Sequence, residues 1–314
     1  LALLNNTPVY RLYTSNIPVA QPKEYLKCLV TKTESFLRHA PSYDKLLDNA
    51  ITKSYKKANA NITSNIANEE KITAENLGLA NRIDALAPKN SFVTLKDHKP
   101  NFQNNPTCRL INPSKSEIGV ISKQLLQSIN SNILIHTNLN QWKNTNSVIS
   151  WFKNLPNKSS RSFICFDIVD FYPSITEELL LNALTFASQF NTITDEEKHI
   201  IMQAKKSVLF SRNQTWRKKE SDSLFDVTMG SFDGAETCEL VGLFLLSKLP
   251  PEYRNDIGLY RDDGLAAFDK QPRAIENIKK QFSSTYSLFR LITAQTRCFD
   301  MEAFQHVEDG AGLL

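Results

Sequence analysis

Three aspartates in the second half of the chain are the residues whose type and spacing could do chemistry. Asp262 and Asp263 are adjacent in the stretch "IGLYRDDGLAAF", and Asp167 lies in the apolar run "SFICFDIVDF". Carboxylates that converge can hold two divalent cations about 3.5–4 Å apart, a pair that activates an attacking oxygen and stabilises a leaving oxygen in phosphoryl transfer. Mg²⁺ suits such a site because it prefers a few carboxylates together with substrate phosphates.

The same aspartates also allow a purely structural interpretation. Asp-Gly between two apolar runs is a strong signal for a β-hairpin, because both central residues of a type I′ turn need positive φ. Asp167 could likewise cap the turn after a strand. An aspartate inside an apolar strand is costly to bury unless it meets a cation or water. From these residues alone, both interpretations stay open.

The elements that must position the aspartates follow an α+β pattern. Residues 162–171 have the length and apolar character of a strand buried on both faces. Helices are predicted from Thr176 and Thr194, because each threonine precedes acidic residues that favour a helix N-terminus. A strand "SLFDVTMG" ending at Gly230, a helix and the hairpin at 257–268 follow. This order predicts a small antiparallel sheet.

Upstream of this region, a basic segment could bind phosphate. The short β-like runs "SFVTLK" and "CRLIN" flank a turn rich in proline and asparagine. The cations of this segment are Lys96, Lys99, Arg109 and Lys115, with His98 as a fifth when it is protonated. Residues 1–90 are polar and mostly helical by pattern, and 59–78 is predicted to be a loop leading to another helix.

Composition limits the class of protein. The chain has 314 residues, of which 41% are hydrophobic, and a net charge of +4, which permits a polyanionic partner without requiring one. Its five cysteines are scattered without a CxxC pair, which argues against a disulfide framework or a zinc site. No apolar run approaches the length of a membrane span. We therefore expect an intracellular protein, in the nucleus or the cytoplasm, with no membrane partner.

Four segments resemble reverse transcriptases, in the order of that family. "FDIVDFYPSI" is similar to the first palm motif, and "YRDDGL" is similar to the Tyr-x-Asp-Asp motif. "TLKDHKPNFQNNPTCRLINPSKSEIGVISKQLLQSI" resembles the fingers segment, and "VTMGSFDGAETCELVGLFLL" occupies the place of the Gly-Ser-Pro loop and its helix. The resemblance covers roughly residues 90–295 and is closest to retroelement polymerases of the Penelope-like or intron type. Four motifs in order are more specific than any one alone.

The resemblance implies a right-hand polymerase palm and fingers within the α+β class, preceded by a helical N-terminal region. The expected division is 1–90 for the helical region, 91–160 for the fingers-like segment, 161–295 for the palm-like domain and 296–314 for a tail outside the family. A helical thumb is expected to be missing, because the sequence after the Tyr-x-Asp-Asp motif no longer resembles the family. The chain therefore resembles a truncated polymerase.

The implied activity is RNA-directed DNA polymerisation from dNTPs on an RNA or DNA template with a primer. Asp167, Asp262 and Asp263 would bind two Mg²⁺, with Mn²⁺ as an alternative metal. The implied nucleotide-binding residues are Lys96, Lys99, Arg109, Tyr172 and Gly230. Among these, Tyr172 would be the steric gate, whose ring fills the space that a ribose 2′-OH would need.

Some residues depart from the family pattern. Arg261 stands where relatives usually have a small or apolar residue. Asp233, Glu236 and Glu239 are spaced to lie near one helix face, where we expect them to place negative charge close to the template. The missing thumb favours one alternative function, a non-catalytic nucleic-acid-binding remnant of a polymerase, because a primer–template needs a second clamp. A metal-dependent phosphohydrolase that uses the same aspartates is a third hypothesis.

Overall fold

The computed structural model describes residues 43–58, 61–76, 89–96, 102, 104–113, 117–168, 170–219 and 224–269. In chain order its helices and strands are α1 (43–54), β1 (Tyr55–Lys57), α2 (Asn61–Asn76), β2 (Phe92–Leu95), β3 (Cys108–Ile111), α3 (Glu117–His136), β4 (Asn140–Gln141), α4 (Thr145–Asn154), β5 (Arg161–Asp167), α5 (Phe171–Ser174), α6 (Glu177–Ala187), α7 (Asp195–Gln203), β6 (Leu209–Ser211), β7 (Gln214–Lys218), α8 (Gly234–Lys248), β8 (Ile257–Tyr260) and β9 (Asp263–Asp269).

These elements form two compact units. The first unit contains the described residues up to Glu117 together with Lys206–Ser231, and the second contains Ile118–Lys205 and the described residues from Phe232 onward. The chain therefore passes between the units three times. The predicted boundaries at residues 90, 160 and 295 stay predictions. The helices expected at 22–40 and 272–282 lie outside the described residues.

The first unit is built on two small antiparallel sheets. One has the order β1-β7-β6, and the other is the β2–β3 hairpin. Leu47 and Ile51 are four residues apart on α1, so they lie on one helix face and pack with Val93 and Leu209 in a buried cluster. Tyr55 and Trp216 pack against this cluster from the neighbouring strands. Helix α1 thus joins both sheets into one core.

The second unit contains a four-stranded sheet with the order β4-β8-β9-β5. Strands β4 and β8 are parallel and the other neighbours are antiparallel. Helix α8 packs against α6, β4 and β8, and most of its side chains are buried, as expected for a helix that is hydrophobic on nearly all sides. The predicted α+β class with a small sheet is confirmed, although the sheet is mixed.

The predicted helix starts at both threonines are confirmed. The Thr176 hydroxyl accepts a hydrogen bond from the Leu179 amide at 3.1 Å. The Thr194 hydroxyl accepts from the Glu197 amide, and the Glu197 carboxylate accepts from the Thr194 amide, which completes a capping box. Helix α7 ends at Gln203, although its sequence pattern predicted a helix that continued to Phe210, and Leu209–Ser211 forms a strand instead.

Two local predictions were wrong. The loop expected over 59–78 is largely helix α2, in which Ala, Glu and Lys favour a helix despite the scarcity of bulky residues. The strand expected to end at Gly230 is reduced, within residues 224–230, to a single bridge between Lys206 and Phe225. No helix in the described part of the chain is both long and apolar enough to cross a membrane.

Candidate active site

Strands β5 and β9 bring the predicted aspartates to one end of the sheet. Asp167 pairs with Asp263 in the β5–β9 register, and the Ile168 amide donates a hydrogen bond to the Asp262 carbonyl at 2.7 Å. Directly opposed residues of an antiparallel pair share a face of the sheet. The expected adjacency of the two aspartate-bearing strands is therefore confirmed at the level of the backbone. How the carboxylates converge stays a prediction.

The hairpin turn lies two residues earlier than the Asp-Gly pair predicted. Tyr260 pairs with Asp263, so Arg261 and Asp262 form the two-residue loop. Of these two, only Arg261 has a positive φ, at 56°, so the turn is not of type I′. The Arg261 guanidinium lies 5.4 Å from the centre of the Tyr260 ring, a cation–π distance. Asp262 therefore stands at the tip of the hairpin.

Gly264 explains why the turn is displaced. This glycine lies in β9 opposite Phe166, and a Cβ atom at its position would lie only 2.1 Å from the Phe166 ring. A glycine is therefore required here for close packing of the two strands. The Asp-Gly signal was correct in predicting a hairpin and wrong in assigning glycine to its turn.

Tyr172 lies in the same electrostatic neighbourhood as Asp262. Its hydroxyl is in hydrogen-bonding contact with the Cys238 thiol on α8. Burial, followed by Cys238 and the negative charge of Asp262, holds the pKa of the Tyr172 phenol far above its usual range, while Arg261 opposes the shift. The structure thus brings together the predicted gate and one predicted metal ligand, and it keeps the phenol neutral.

Cys238 is a packed structural thiol. Its side chain is fully buried. Burial is the main cause that raises the pKa of this thiol, and the Asp262 charge adds to it, whereas Lys205 and Arg261 act in the opposite direction. A neutral buried thiol is a poor nucleophile. Its contact with Tyr172 therefore positions the ring.

The first acid of the α8 segment, Asp233, has a structural role. It forms an ion pair with Lys205, and both side chains are only 1% exposed. The Ser122 hydroxyl donates a hydrogen bond to the same carboxylate at 2.5 Å. A buried carboxylate needs such partners to offset its lost hydration. The expectation that Asp233 places negative charge near the template was therefore wrong.

The second acid, Glu236, also interacts with side chains of α3. Its carboxylate lies 3.5 Å from the Lys123 ammonium and accepts a hydrogen bond from the Gln127 amide at 3.0 Å, and its side chain is 12% exposed. Glu239 is half-buried. Burial and the Glu236 charge raise the pKa of Glu239, while Lys143 and Arg261 lower it. The acidic face of this helix is thus mostly matched by α3.

Lys205 lies next to the candidate site, and its burial was not predicted from the sequence. It belongs to the Lys-Lys pair that follows α7, where Lys206 is half-exposed and pairs with Glu69. Only one of two successive lysines can face the interior at a helix end. The apolar run that surrounds this pair was the available signal, but it did not indicate which lysine is buried.

The β2–β3 hairpin carries the described fingers candidates. Arg109 pairs with Thr94, and the Lys96 amide donates to the Thr107 carbonyl at 2.8 Å, next to the strands. The Arg109 side chain is exposed and Lys96 is half-buried. The predicted pairing of these two runs is confirmed. The triphosphate role of these cations stays a prediction, and Lys99 lies outside the described residues.

Gly230 is fixed by the backbone around it. Its φ is 113°, and an added Cβ atom would lie 2.4 Å from the Asn112 carbonyl oxygen. The Asn112 amide in turn donates to the Met229 carbonyl at 2.9 Å. Glycine is required here because both the φ angle and the close approach exclude a side chain. The nucleotide-binding role of Gly230 stays a prediction beside this structural one.

The donor set of the hairpin is chemically suited to a hard divalent cation. Its described carboxylates are Asp262, which is half-buried, and Asp263, which is exposed. Oxygen-only donors of this kind suit Mg²⁺ or Mn²⁺. Among the side chains that the structure describes, no cluster of three or more His, Cys, Asp or Glu residues could hold a metal; the Asp167 side chain is not one of them.

Comparison with solved structures identifies the fold. Apo telomerase from Candida tropicalis, truncated from its C-terminal domain, has a TM-score of 0.51 at 12% identity over 81% of this chain and 54% of that chain. Telomerase from Candida tropicalis in complex with a TWJ fragment of telomeric RNA has a TM-score of 0.52 at 13% identity over 80% of this chain and 43% of that chain. The chain thus spans about half the length of these telomerases.

A viral structure gives a weaker match. The RNA-dependent RNA polymerase of a human picobirnavirus has a TM-score of 0.48 at 9% identity over 95% of this chain and 70% of that chain. No family model and no curated protein matches the sequence. The telomerase likeness shows that the chain has a nucleic-acid polymerase fold.

Proposed function

We propose that the chain is the RNA-directed DNA polymerase domain of a retroelement, which transfers a nucleotide from a dNTP to a primer 3′-OH. The observation that carries this proposal is the β5–β9 register, which pairs Asp167 with Asp263 beside a turn that contains Asp262. This grouping of three aspartates stands at one strand end, on a fold shared with telomerases.

Separate roles are proposed for the acidic and the basic residues. Asp167, Asp262 and Asp263 hold two Mg²⁺ or Mn²⁺ ions. When bound, these ions activate the attacking hydroxyl and stabilise the leaving pyrophosphate. Arg109 with Lys96 or Lys99 binds the triphosphate through charge-assisted hydrogen bonds, and the Gly230 loop supports the nucleotide.

Tyr172 sets sugar selectivity in this proposal. Its hydroxyl contacts Cys238, and Asp262 lies close enough to perturb its pKa. A ring fixed beside a metal ligand can occupy the volume that a ribose 2′-OH would need. RNA is the proposed template class, since one of the similar telomerases is in complex with telomeric RNA.

A second candidate is a non-catalytic nucleic-acid-binding remnant of such a polymerase. Arg261 favours it, because this fixed cation is adjacent in sequence to Asp262 at the hairpin tip. A guanidinium near a carboxylate competes with a metal ion for the same charge. The two candidates differ in whether Asp262 is required for nucleotide transfer or only for the fold.

Primer extension by the full chain on a primed RNA template, with dNTPs and either Mg²⁺ or Mn²⁺, tests the proposal. We expect extension that Asp262→Asn abolishes and that Asp195→Asn, an exposed control on α7, leaves intact. Binding of the primed template without extension in either metal would support the remnant. Extension that survives Asp262→Asn would rule out the assigned site.

A further inference from the structure

A cleft in the second unit lies at the end of the sheet that is remote from the aspartates. It has a volume of about 620 Å³, which is within the range of sites that bind small ligands. Its walls come from the C-terminal ends of α3, α6 and α8 and from the segment that leads into β8. Asn255 lies in its wall, and β8 then runs for about 13 Å before it reaches the hairpin. This feature is named the helix-end cleft.

The carbonyl groups at these three helix ends already have partners. Arg254 donates to two carbonyls at the end of α8, at 3.1 and 2.9 Å. The Thr137 hydroxyl donates to a carbonyl of α3 at 2.7 Å, and the Ser188 hydroxyl donates to a carbonyl of α6 at 3.0 Å. The remaining polar groups of the cleft are therefore not required as helix caps.

Aromatic rings line one wall of the helix-end cleft. The Phe186 and Phe190 rings pack edge to face with 5.3 Å between their centres. The His136 ring lies 6.4 Å from Phe190 and is inclined to it by 29°, and its Nδ1 donates to the Asn132 carbonyl at 2.8 Å, which fixes the ring. Both phenylalanines are only half-buried and His136 is exposed. The wall thus offers aromatic surface on which a flat ring can stack.

Positive charge in the cleft has no carboxylate counterpart. Lys248 is exposed, and its ammonium lies 4.8 Å from the centre of the Phe244 ring. Among the residues that the structure describes, no carboxylate pairs with Lys248 or Arg254. None of the described lining residues is acidic. The charge of the cleft is therefore complementary to an anion.

Amide side chains complete the lining. Asn138, Gln189 and Asn255 are exposed around the cleft. A side-chain amide both donates and accepts hydrogen bonds, and the edges of nucleobases present both kinds of group. The cleft thus combines aromatic surface, unneutralised cations and groups suited to a base edge.

We propose that the helix-end cleft binds a nucleotide, with the base against Phe186 and Phe190 and the phosphate on Lys248, at a site separate from the aspartate hairpin. A nucleotide is both aromatic and anionic, and stacking on aromatic side chains beside basic groups is a common way to hold one. The choice of a nucleotide among aromatic anions rests on the proposed function. The nucleotide is either free or one unit of a single strand.

Isothermal titration calorimetry of the full chain with AMP, adenosine and inorganic phosphate, each in EDTA, tests the proposal. AMP should bind more tightly than adenosine or phosphate alone. Phe190→Leu should weaken the binding of AMP and of adenosine by on the order of tenfold, because a stacking surface is lost. Lys248→Gln should weaken AMP binding by on the order of tenfold and leave adenosine binding unchanged, because only the phosphate contact is lost.

Phe152 and Lys158 provide matched controls. They are another lysine and phenylalanine of the second unit, with the ammonium 5.3 Å from the ring centre, and neither lines the helix-end cleft. Phe152→Leu and Lys158→Gln should bind AMP as the wild type does. Asp262→Asn should also bind AMP normally in EDTA, which separates the cleft from the aspartate hairpin. Unfolding temperatures of all variants show whether each protein is folded.

A short single-stranded oligoadenylate distinguishes the two sources of the nucleotide. A loss of RNA affinity in Phe190→Leu and Lys248→Gln assigns the cleft to a strand. A loss of AMP affinity with unchanged RNA affinity assigns it to a free nucleotide.

Three results would overturn the proposal. The first is binding of both AMP and oligoadenylate that is unaffected by Phe190→Leu and Lys248→Gln. The second is an equal loss of affinity in the Phe152 and Lys158 controls. The third is a polyglutamate peptide that binds more tightly than AMP and loses affinity in Lys248→Gln, which would assign the cleft to an acidic protein partner. Since these titrations contain neither metal nor primer, a failure of primer extension is a separate result.

Discussion

Asp167 on β5 lies directly opposite Asp263 on β9. Two acidic residues thus occupy one cross-strand pair at the end of the sheet. A cation bound at this pair would stabilise the fold. That effect can be measured without any assay of polymerisation.

Asp263→Asn should weaken the response of the protein to Mg²⁺. The substitution keeps the size of the side chain and removes one carboxylate from the cross-strand pair with Asp167, so one proposed metal ligand is lost. Thermal unfolding of both proteins in EDTA and in Mg²⁺ measures the response. Mg²⁺ should raise the unfolding temperature of the wild type more than that of the variant. An equal response to Mg²⁺ in both proteins would contradict the assigned metal site.

Tyr172→Ala should admit ribonucleotides. Loss of the ring opens the space next to Asp262, so the preference for dNTP over rNTP should fall by on the order of tenfold or more. Tyr172→Phe is the matched control, because it keeps the ring and removes only the hydroxyl that contacts Cys238. Single-nucleotide incorporation kinetics measure both ratios, and a preference that is unchanged in Tyr172→Ala would exclude the gate.

Glu239→Gln should stabilise the protein increasingly as the pH rises. Burial raises the pKa of Glu239 in the folded state. A carboxyl group whose pKa is raised in the folded state contributes stability that is fully present at pH values below its unfolded pKa. This contribution is lost as the pH rises through the pKa of the folded state. The variant should match the wild type near about pH 4 and unfold at a higher temperature near about pH 8.

Glu178→Gln provides the opposite case for this pH series. Glu178 is exposed in the first turn of α6, where a negative charge is favourable because of the helix dipole. Its replacement should slightly lower the unfolding temperature at the higher pH. A gain for Glu239→Gln that does not depend on pH would show that packing, not ionisation, is responsible.

A double-mutant cycle should show strong coupling between Lys205 and Asp233. Lys205→Met or Asp233→Leu alone leaves one buried charge unpaired, which typically costs about 3–5 kcal/mol. The double variant should lose much less free energy of unfolding than the sum of the losses in the two single variants, because apolar residues replace both charges. Thermal and urea unfolding measure the cycle. Additive losses would mean that the two side chains do not stabilise the fold as a pair.

The sequence predicted the elements whose signals are local. Thr176 and Thr194 begin helices as expected, since an N-cap depends on residues within one turn. The β8–β9 hairpin was also predicted, but its turn was not, because Gly264 is required by Phe166, a residue far away in the chain. A tight turn and close packing against a distant residue can each require a glycine, and the sequence alone does not show which of the two applies.

Non-local pairings account for most of what could not be predicted. Strand β1 is a short basic segment that exists because β7, distant in the sequence, pairs with it. Asp233 and Glu236 lie on one helix face, as their spacing predicted. Whether that face contacts solvent or α3 depends on tertiary packing. Of the site residues, the sequence indicated the aspartates by type and order, whereas the buried partner Lys205 became visible only in the fold.

Lys205 and Asp233 also stand on either side of Lys206–Ser231, the segment that leaves the second unit and returns to it. Their ion pair fastens the exit and entry points of this excursion together inside the second unit. The excursion thus leaves and re-enters the second unit at closely spaced ends, an arrangement that tolerates insertion well. Strands β6 and β7 of the excursion belong to the core of the first unit. We therefore expect related chains to vary in the length of the loops within the excursion, while these strands and the aspartate hairpin keep their frame.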